Sequence, residues 1–204
     1  DDSERDRFIL SKGHASIALF AVLAEKGFID ETALSSVCQK GSILGEHADH
    51  FIPGVDVLSG SLGHGLAFAI GIALGAKLNK KNFKSYVLMG DDECQEGSVW
   101  EAATKAPIFK LNNLVAIIDN NQQITLDYTK DCYNTDNLNE KFTAFGWHVS
   151  EIDGHDYSRL LNALKKDASD LGDKPHMIIA NTIKGKGVSF MEDVRVWHGK
   201  APNE

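Results

Sequence analysis

Residues Gly90–Gly97 read GDDECQEG, and residues Asp119–Asn121 read DNN. Each follows an apolar run, Tyr86–Met89 (YVLM) in the first case and Leu114–Ile118 (LVAII) in the second, with a helix-like stretch between them. Short apolar runs bounded by turn residues are the pattern of buried strands. Strand, helix and strand in that order put Asp91 and Asn121 at the ends of two parallel strands of one sheet. That edge is where an open α/β sheet binds its ligand. One anionic and one neutral oxygen there suit a hard divalent cation holding a phosphorylated ligand.

The alternation extends in both directions from this pair. A helix is expected over His14–Lys26 with Gly27 at its C′ position, and a short helix over Glu31–Lys40. Residues 41–61 read as a loop with Pro53, His47 and His50. Leu62–Leu78 (LGHGLAFAIGIALGAKL) reads as a nearly all-apolar helix, buried and closely packed, its Ala/Gly stretch Leu66–Ala76 being simple core or else a dimer seam. A strand follows over Lys84–Met89, then a helix over Gly97–Lys110 that Pro107 kinks or ends early. After the strand Leu114–Ile118 comes a polar loop to about Asn137. A helix from Leu138, a strand Trp147–Ile152, a helix Tyr157–Ser169 and a strand His176–Asn181 complete the chain. The expectation is an α/β fold, one parallel sheet flanked by helices on both faces.

Composition narrows the function classes. At 204 residues the chain is one domain with a sizeable core, and 43% apolar with 25% charged residues is ordinary for a globular protein. A net charge of −8 without a basic stripe argues against nucleic-acid binding. It leaves room for an anionic ligand, because backbone N–H groups bind phosphate in acidic proteins too. Cys38, Cys94 and Cys132 are odd in number and form no CxxC pair, which argues against zinc and a disulfide framework and for a reducing cytoplasm. No apolar run approaches the length of a membrane span. The opening DDSERDRF and the ending WHGKAPNE suggest a piece of a larger functional unit.

A diphosphate ligand needs a bridging metal and a tight glycine turn offering N–H groups. Asp91 and Asn121 supply side-chain oxygens, a carbonyl of Gln122 or Gln123 completes the protein ligands, and Gly90 and Gly97 bracket the turn. Read alone, Asp91 is a turn aspartate and Asn121 a left-handed turn residue. Two such residues thirty apart, each after a strand, are a far more specific signal.

The sequence resembles the diphosphate-binding domain of transketolase, a thiamine-diphosphate enzyme. The matching segments are RDRFILSKGHAS (5–16), GSILGEHADHFIPGVDV (41–57), SGSLGHG (59–65), GDDECQEG with LVAIIDNN, and GKGVSFME with VWHG near the end. They occur in the family's order. The resemblance implies Asp91, Asn121 and the Gln123 carbonyl as ligands of Mg²⁺ or Ca²⁺. It places His14 near the cofactor diphosphate and substrate, His47 near the reacting hydroxyl of a donor ketose, and His198 at the cleft mouth. It makes Glu96 an acid coupled to the partner's active site, and puts Gly90, Leu62 and His64 where the cofactor packs. Lys184 and Lys186 could meet a substrate phosphate. Asp92 stands where the family has Gly, and adjacent carboxylates either raise one pKa or bind a cation. His64 stands where Gln is usual, which bears on donor specificity. His148 and His155 read as surface histidines, and Trp100 and Phe109 as core or interface.

No pyrimidine-binding domain is visible in the sequence. The resemblance therefore implies a split enzyme, whose C-terminal subunit supplies that domain and the catalytic glutamate, in an assembly with two of each chain. The implied reaction moves a two-carbon ketol unit from a ketose phosphate to an aldose. The rivals are another thiamine-dependent ketol or acyloin transferase of a specialised pathway, and a non-catalytic partner subunit.

Overall fold

The computed structural model describes residues 4–125, 127–132, 137–200 and 202. Among them, five parallel strands form one sheet: β1 (Arg7–Leu10), β2 (Ser85–Gly90), β3 (Leu114–Asn120), β4 (His148–Asp153) and β5 (His176–Asn181). Their spatial order is β1-β2-β3-β5-β4. The helices are α1 (Ser16–Glu25), α2 (Gly65–Leu78), α3 (Gly97–Ile108), α4 (Thr129–Cys132), α5 (Leu138–Phe145), α6 (Tyr157–Leu164) and α7 (Ala168–Leu171). The expected α/β architecture is present, and β5 falls on its expected residues.

Both faces of the sheet are apolar because both are covered. Val87, Met89, Ala116, Ile118, Met177 and Ile179 share a core with α2, α3 and α5. Val115 and Ile178 face the other way, against Ala163 and Leu164 of α6. This second layer is thinner, and Phe8 of β1 remains 40% exposed. In α2, Ala69, Ala73 and Ala76 are buried, and their small side chains let the helix lie close to the sheet. Leu66 on the same helix is fully buried, which contributes about 1.5–3 kcal/mol.

Several boundaries differ from the sequence pattern. β1 lies outside the expected strands. It pairs with β2 from Arg7↔Ser85 to Leu10↔Leu88 and carries the chain into Ser11–His14. The segment Gly13–Ala15 is a 3₁₀ turn, so α1 starts at Ser16, while Gly27 follows its end at φ 73 as expected. Residues Glu31–Ser36 form a 3₁₀ helix rather than an α-helix, capped by Asp30. α2 begins at Gly65, not Leu62, because Gly63 is left-handed with φ 81. It is not buried all round: Phe68 and Leu78 are exposed on its outer side. Pro107 lies within α3, which ends one residue later at Ile108. The polar loop after β3 contains α4, and its residues 126 and 133–136 lie outside the described residues. The expected helix 157–169 breaks after Leu164, and Asp167 accepts from Ser169 N at 2.7 Å to start α7 separately. Among the described residues no helix is long and apolar enough to cross a membrane.

Candidate active site

β2 and β3 are hydrogen-bonded neighbours, with Gly90 opposite Asp119. Asp91 is thus one residue past one strand tip, and Asn121 lies just past the adjacent one. Asp91 is 1% exposed. Its Oδ2 accepts from Gln122 N and from Thr129 Oγ1, each at 3.0 Å. Its Oδ1 is buried without a hydrogen-bond partner among the described residues. Burial pushes the carboxyl up to about 6, with the Asp92 and Asp119 charges adding to it and the Thr129 bond opposing it. A buried, half-satisfied carboxylate costs free energy unless a cation meets it.

The second strand tip is locked by its own turn. Asn121 Oδ1 accepts from Gln123 N at 3.1 Å, and its Nδ2 lies 3.5 Å from Asp119 Oδ2. Gln122 is left-handed, with φ 59, and its carbonyl accepts from Thr129 N at 2.9 Å. Of the two carbonyls open from the sequence, Gln122's is therefore engaged within the loop, which leaves Gln123's as the candidate ligand. Gln123 is 3% exposed and its Nε2 donates to Asp193 Oδ1 at 2.6 Å. Among the described residues no group of three His, Cys, Asp or Glu side chains shares an ion. The expected set needs none, since it holds one carboxylate, one carboxamide and one carbonyl. Hard oxygen donors around an unpaired buried anionic oxygen fit Mg²⁺ or Ca²⁺.

Three histidines from distant segments come together beside these tips. The His14 ring centroid lies 5.1 Å from that of His47 and 6.0 Å from that of His198. Gly13 makes this approach possible, because a Cβ there would strike the Ser59 carbonyl and the His47 ring. His14 is exposed and its Nε2 lies 3.8 Å from Glu46 Oε1. His198 Nδ1 is 2.9 Å from Lys184 Nζ, and its Nε2 is 3.2 Å from Thr125 Oγ1. An ammonium can only donate, so Nδ1 accepts and the proton sits on Nε2. Burial, then the charges of Lys184 and His14, push the His198 pKa down and keep the ring neutral.

The remaining expected residues form the rim. Leu62 is 43% exposed, and His64 precedes α2 without a side-chain cap bond. Glu96 precedes α3, is exposed and makes no cap bond, so it does not serve as a plain helix cap. Its Cβ and Cγ instead crowd Gly63, where no side chain would fit. Asp92 Oδ1 turns back to accept from Glu93 N at 2.9 Å. Lys186 is at the surface with Glu192, 3.5 Å away.

Four site residues carry no assignment in the sequence reading: Lys12, Glu93, Asp119 and Thr182. Asp119 accepts from the Lys12 ammonium and the Thr182 hydroxyl, joining the ends of β1, β3 and β5. Burial raises its carboxyl, but Lys12's charge and these bonds outweigh burial and hold it low. Glu93 accepts from Ser11, Gly63 and Gly90. Lys184 is half-buried, and burial followed by Lys12's charge lowers its pKa. Lys12 and Lys184 face the same cleft as the carboxylates of Asp91, Asp92 and Asp119. His148 differs from the surface reading: it is half-buried, 3.0 Å from Lys166 Nζ and edge-on to the buried His176. His155 is exposed, and its Nε2 accepts from Ile183 N at 2.8 Å.

Residues 2–204 match the family described as "Transketolase, thiamine diphosphate binding domain". The chain is 41% identical over 201 residues to one subunit of the apulose-4-phosphate transketolase of Phocaeicola vulgatus, covering 98% of this chain and 71% of that protein. It is 41% identical over 190 residues to the 6-deoxy-6-sulfo-D-fructose transketolase subunit SqwG of a Clostridium species, covering 93% of this chain and 69% of that one. The solved transketolase of Campylobacter jejuni superposes with a TM-score of 0.88 at 33% identity, over 95% of this chain and 31% of that chain.

Proposed function

The chain belongs to the transketolase family as a thiamine-diphosphate-binding domain, and on that premise we propose that it is the diphosphate-binding subunit of a split transketolase that works on sugar phosphates. The relatives named as subunits are similar over about seven-tenths of their own length, whereas the chain spans about a third of the solved transketolase chain. A second subunit would then supply the pyrimidine-binding domain and the glutamate that activates the cofactor, in an assembly with two of each. The free thiols of Cys38, Cys94 and Cys132 agree with a reducing cytoplasm.

Thiamine diphosphate supplies the nucleophilic carbon and the electron sink for C–C cleavage and formation. The chain's own residues bind and orient. Asp91, Asn121 and the Gln123 carbonyl would hold Mg²⁺ or Ca²⁺, and Gly90 would pack beside the diphosphate with Leu62 and His64. Lys12 and Lys184 would balance the diphosphate or substrate phosphate charge. His198, neutral with its proton on Nε2, is set to donate to a substrate hydroxyl in place of Thr125. The imidazoles of His14 and His47 would hold hydroxyls or move protons between them. Glu96 at the exposed rim would couple to the partner subunit. One oxygen of the Asp92 carboxylate is turned back to accept from Glu93 N, which weighs against a non-catalytic reading.

The observation that carries this reading is the buried, unpartnered Oδ1 of Asp91 beside the Asn121 turn. The test is calorimetric titration of thiamine diphosphate with Mg²⁺ into the chain, alone and with its partner subunit. Binding that Asp91→Ala removes, together with ketol-transfer activity of the mixture, is expected. No heat in either titration, and no effect of Asp91→Ala on the mixture's activity, would sink it.

A further inference from the structure

We propose that Glu93 is the positioning residue that sets cofactor affinity, by holding three separate turns in one register; this rests on the function proposed above. Glu93 is fully buried. Its Oε1 accepts from the Ser11 hydroxyl and from Gly63 N at 2.9 Å, and its Oε2 accepts from Gly90 N at 3.1 Å. Ser11 Oγ accepts in turn from Gly65 N at 3.1 Å. One carboxylate therefore ties the end of β1, the turn ahead of α2 and the end of β2.

Each tied segment carries residues assigned to the cofactor. Ser11 leads into Lys12–His14, Gly63 stands between Leu62 and His64, and Gly90 precedes Asp91. The Gly63 peptide is fixed from both sides, since Ser98 Oγ donates to its carbonyl at 3.0 Å. With φ 81 and Glu96 packed where a Cβ would go, this glycine has no other way to present the turn. Bonds to an ionised acceptor out of water are strong and directional. A group that fixes binding atoms before the ligand arrives lowers the ordering cost of binding. Glu93 touches neither cofactor nor substrate in this scheme and acts through the turns.

The carboxamide of Glu93→Gln has nearly the same shape but one acceptor oxygen. Whichever way it turns, either Gly63 N–H or Gly90 N–H faces another donor. With the partner subunit present, calorimetry should show the dissociation constant for thiamine diphosphate with Mg²⁺ rising about tenfold, because the free variant relieves its uncompensated donor by letting one turn leave the geometry the cofactor needs, and binding must restore it. A purely structural role would lower the melting temperature and leave the dissociation constant alone, and that result overturns the proposal. Should Glu93→Gln fail to fold, Ser11→Ala removes one donor and should weaken cofactor binding several-fold; unchanged binding there overturns the proposal equally. The wild-type titration keeps the two claims apart. If the wild type does not bind, the function falls; if it binds and both variants match it, only the role of Glu93 falls.

Discussion

Replacing Asp91 by Asn should make the ligand-free protein more stable while destroying its response to ligand. Burial raises the Asp91 carboxyl from 3.8 to about 6. At about 1.4 kcal/mol per pKa unit, keeping it ionised at neutral pH costs roughly 3 kcal/mol. Asparagine removes the charge and keeps a carbonyl oxygen for the donors Gln122 N and Thr129 Oγ1. Its amide would occupy the place of the unpartnered Oδ1 and offset about 1–2 kcal/mol of that gain unless it finds an acceptor. The net gain is roughly 1–2 kcal/mol, or about 2–8 °C in melting temperature for a domain of this size.

The pH dependence of that gain has a fixed sign. A carboxyl with a folded pKa above its unfolded one binds more protons in the native state between the two values. Wild-type stability from this group is intact below 3.8 and is lost as pH rises through about 6. The stability of Asp91→Asn relative to wild type should therefore be about 1–2 kcal/mol negative near pH 4, where only the amide offset remains, rise through zero to about 1–2 kcal/mol positive near pH 6, and stay constant above. Thermal melts of both proteins across that range, without ligand, measure it. With thiamine diphosphate and Mg²⁺ at about a hundred times the dissociation constant, wild type should gain roughly 2.7 kcal/mol and the variant nothing. A variant that melts below wild type at pH 7.5, or a relative stability of the variant that rises toward acid, would refute the reasoning.

Other perturbations follow from the same geometry. His176 is buried, and burial with the charges of His148, Lys166 and Lys84 lowers its pKa to about 4. Its stability contribution is present above 6.5 and is lost as pH falls toward 4, by roughly 3 kcal/mol. His176→Gln should flatten that acid limb of the melting curve, and an equally steep limb would contradict the assignment. Lys184→Met should move the His198 pKa, read by NMR titration, back toward 6.5, because the ammonium 2.9 Å from Nδ1 is gone. It should also weaken binding of the diphosphate cofactor by about tenfold, as for loss of one charge-assisted contact. Phe68, on the outer side of α2, is 49% exposed. Phe68→Glu should leave the circular dichroism spectrum unchanged and abolish co-sedimentation with the partner subunit; intact assembly would show that this face is not used.

What is legible in the sequence, and what is not, divides along the range of the interactions. Strands β2, β3 and β5 are long apolar runs bounded by turn residues, so their period and ends are visible. β1 is four residues, RFIL, too short to show a period, and only its pairing with β2 makes it a strand. The break between α6 and α7 has a local signal, the Asp167 cap, which the helical pattern running across it masks. The histidines are singled out by resemblance, and their approach to 5.1 and 6.0 Å depends on loops separated by up to 184 positions, from His14 to His198. The lacing of Asp119 by Lys12 and Thr182 leaves no trace in local pattern, because both partners come from other strand ends.

Asp91 and Glu93 show how a site can be told from its scaffold. They lie two residues apart in one motif, they are 1% and 0% exposed, and burial raises the pKa of both. Exposure and pKa direction alone would assign them the same role. Their hydrogen bonds separate them. Both oxygens of Glu93 are met, by donors from three segments, so its hydrogen bonding is satisfied within the protein and its effect is to fix those segments. Asp91 gathers two donors on one oxygen and leaves the other buried and bare. The cost of that bare oxygen falls on the ligand-free state alone, so a cation that meets it gains the difference as binding free energy. The same tip of β2 thus holds one acid whose oxygens meet donors from three segments and one whose second oxygen no described residue meets.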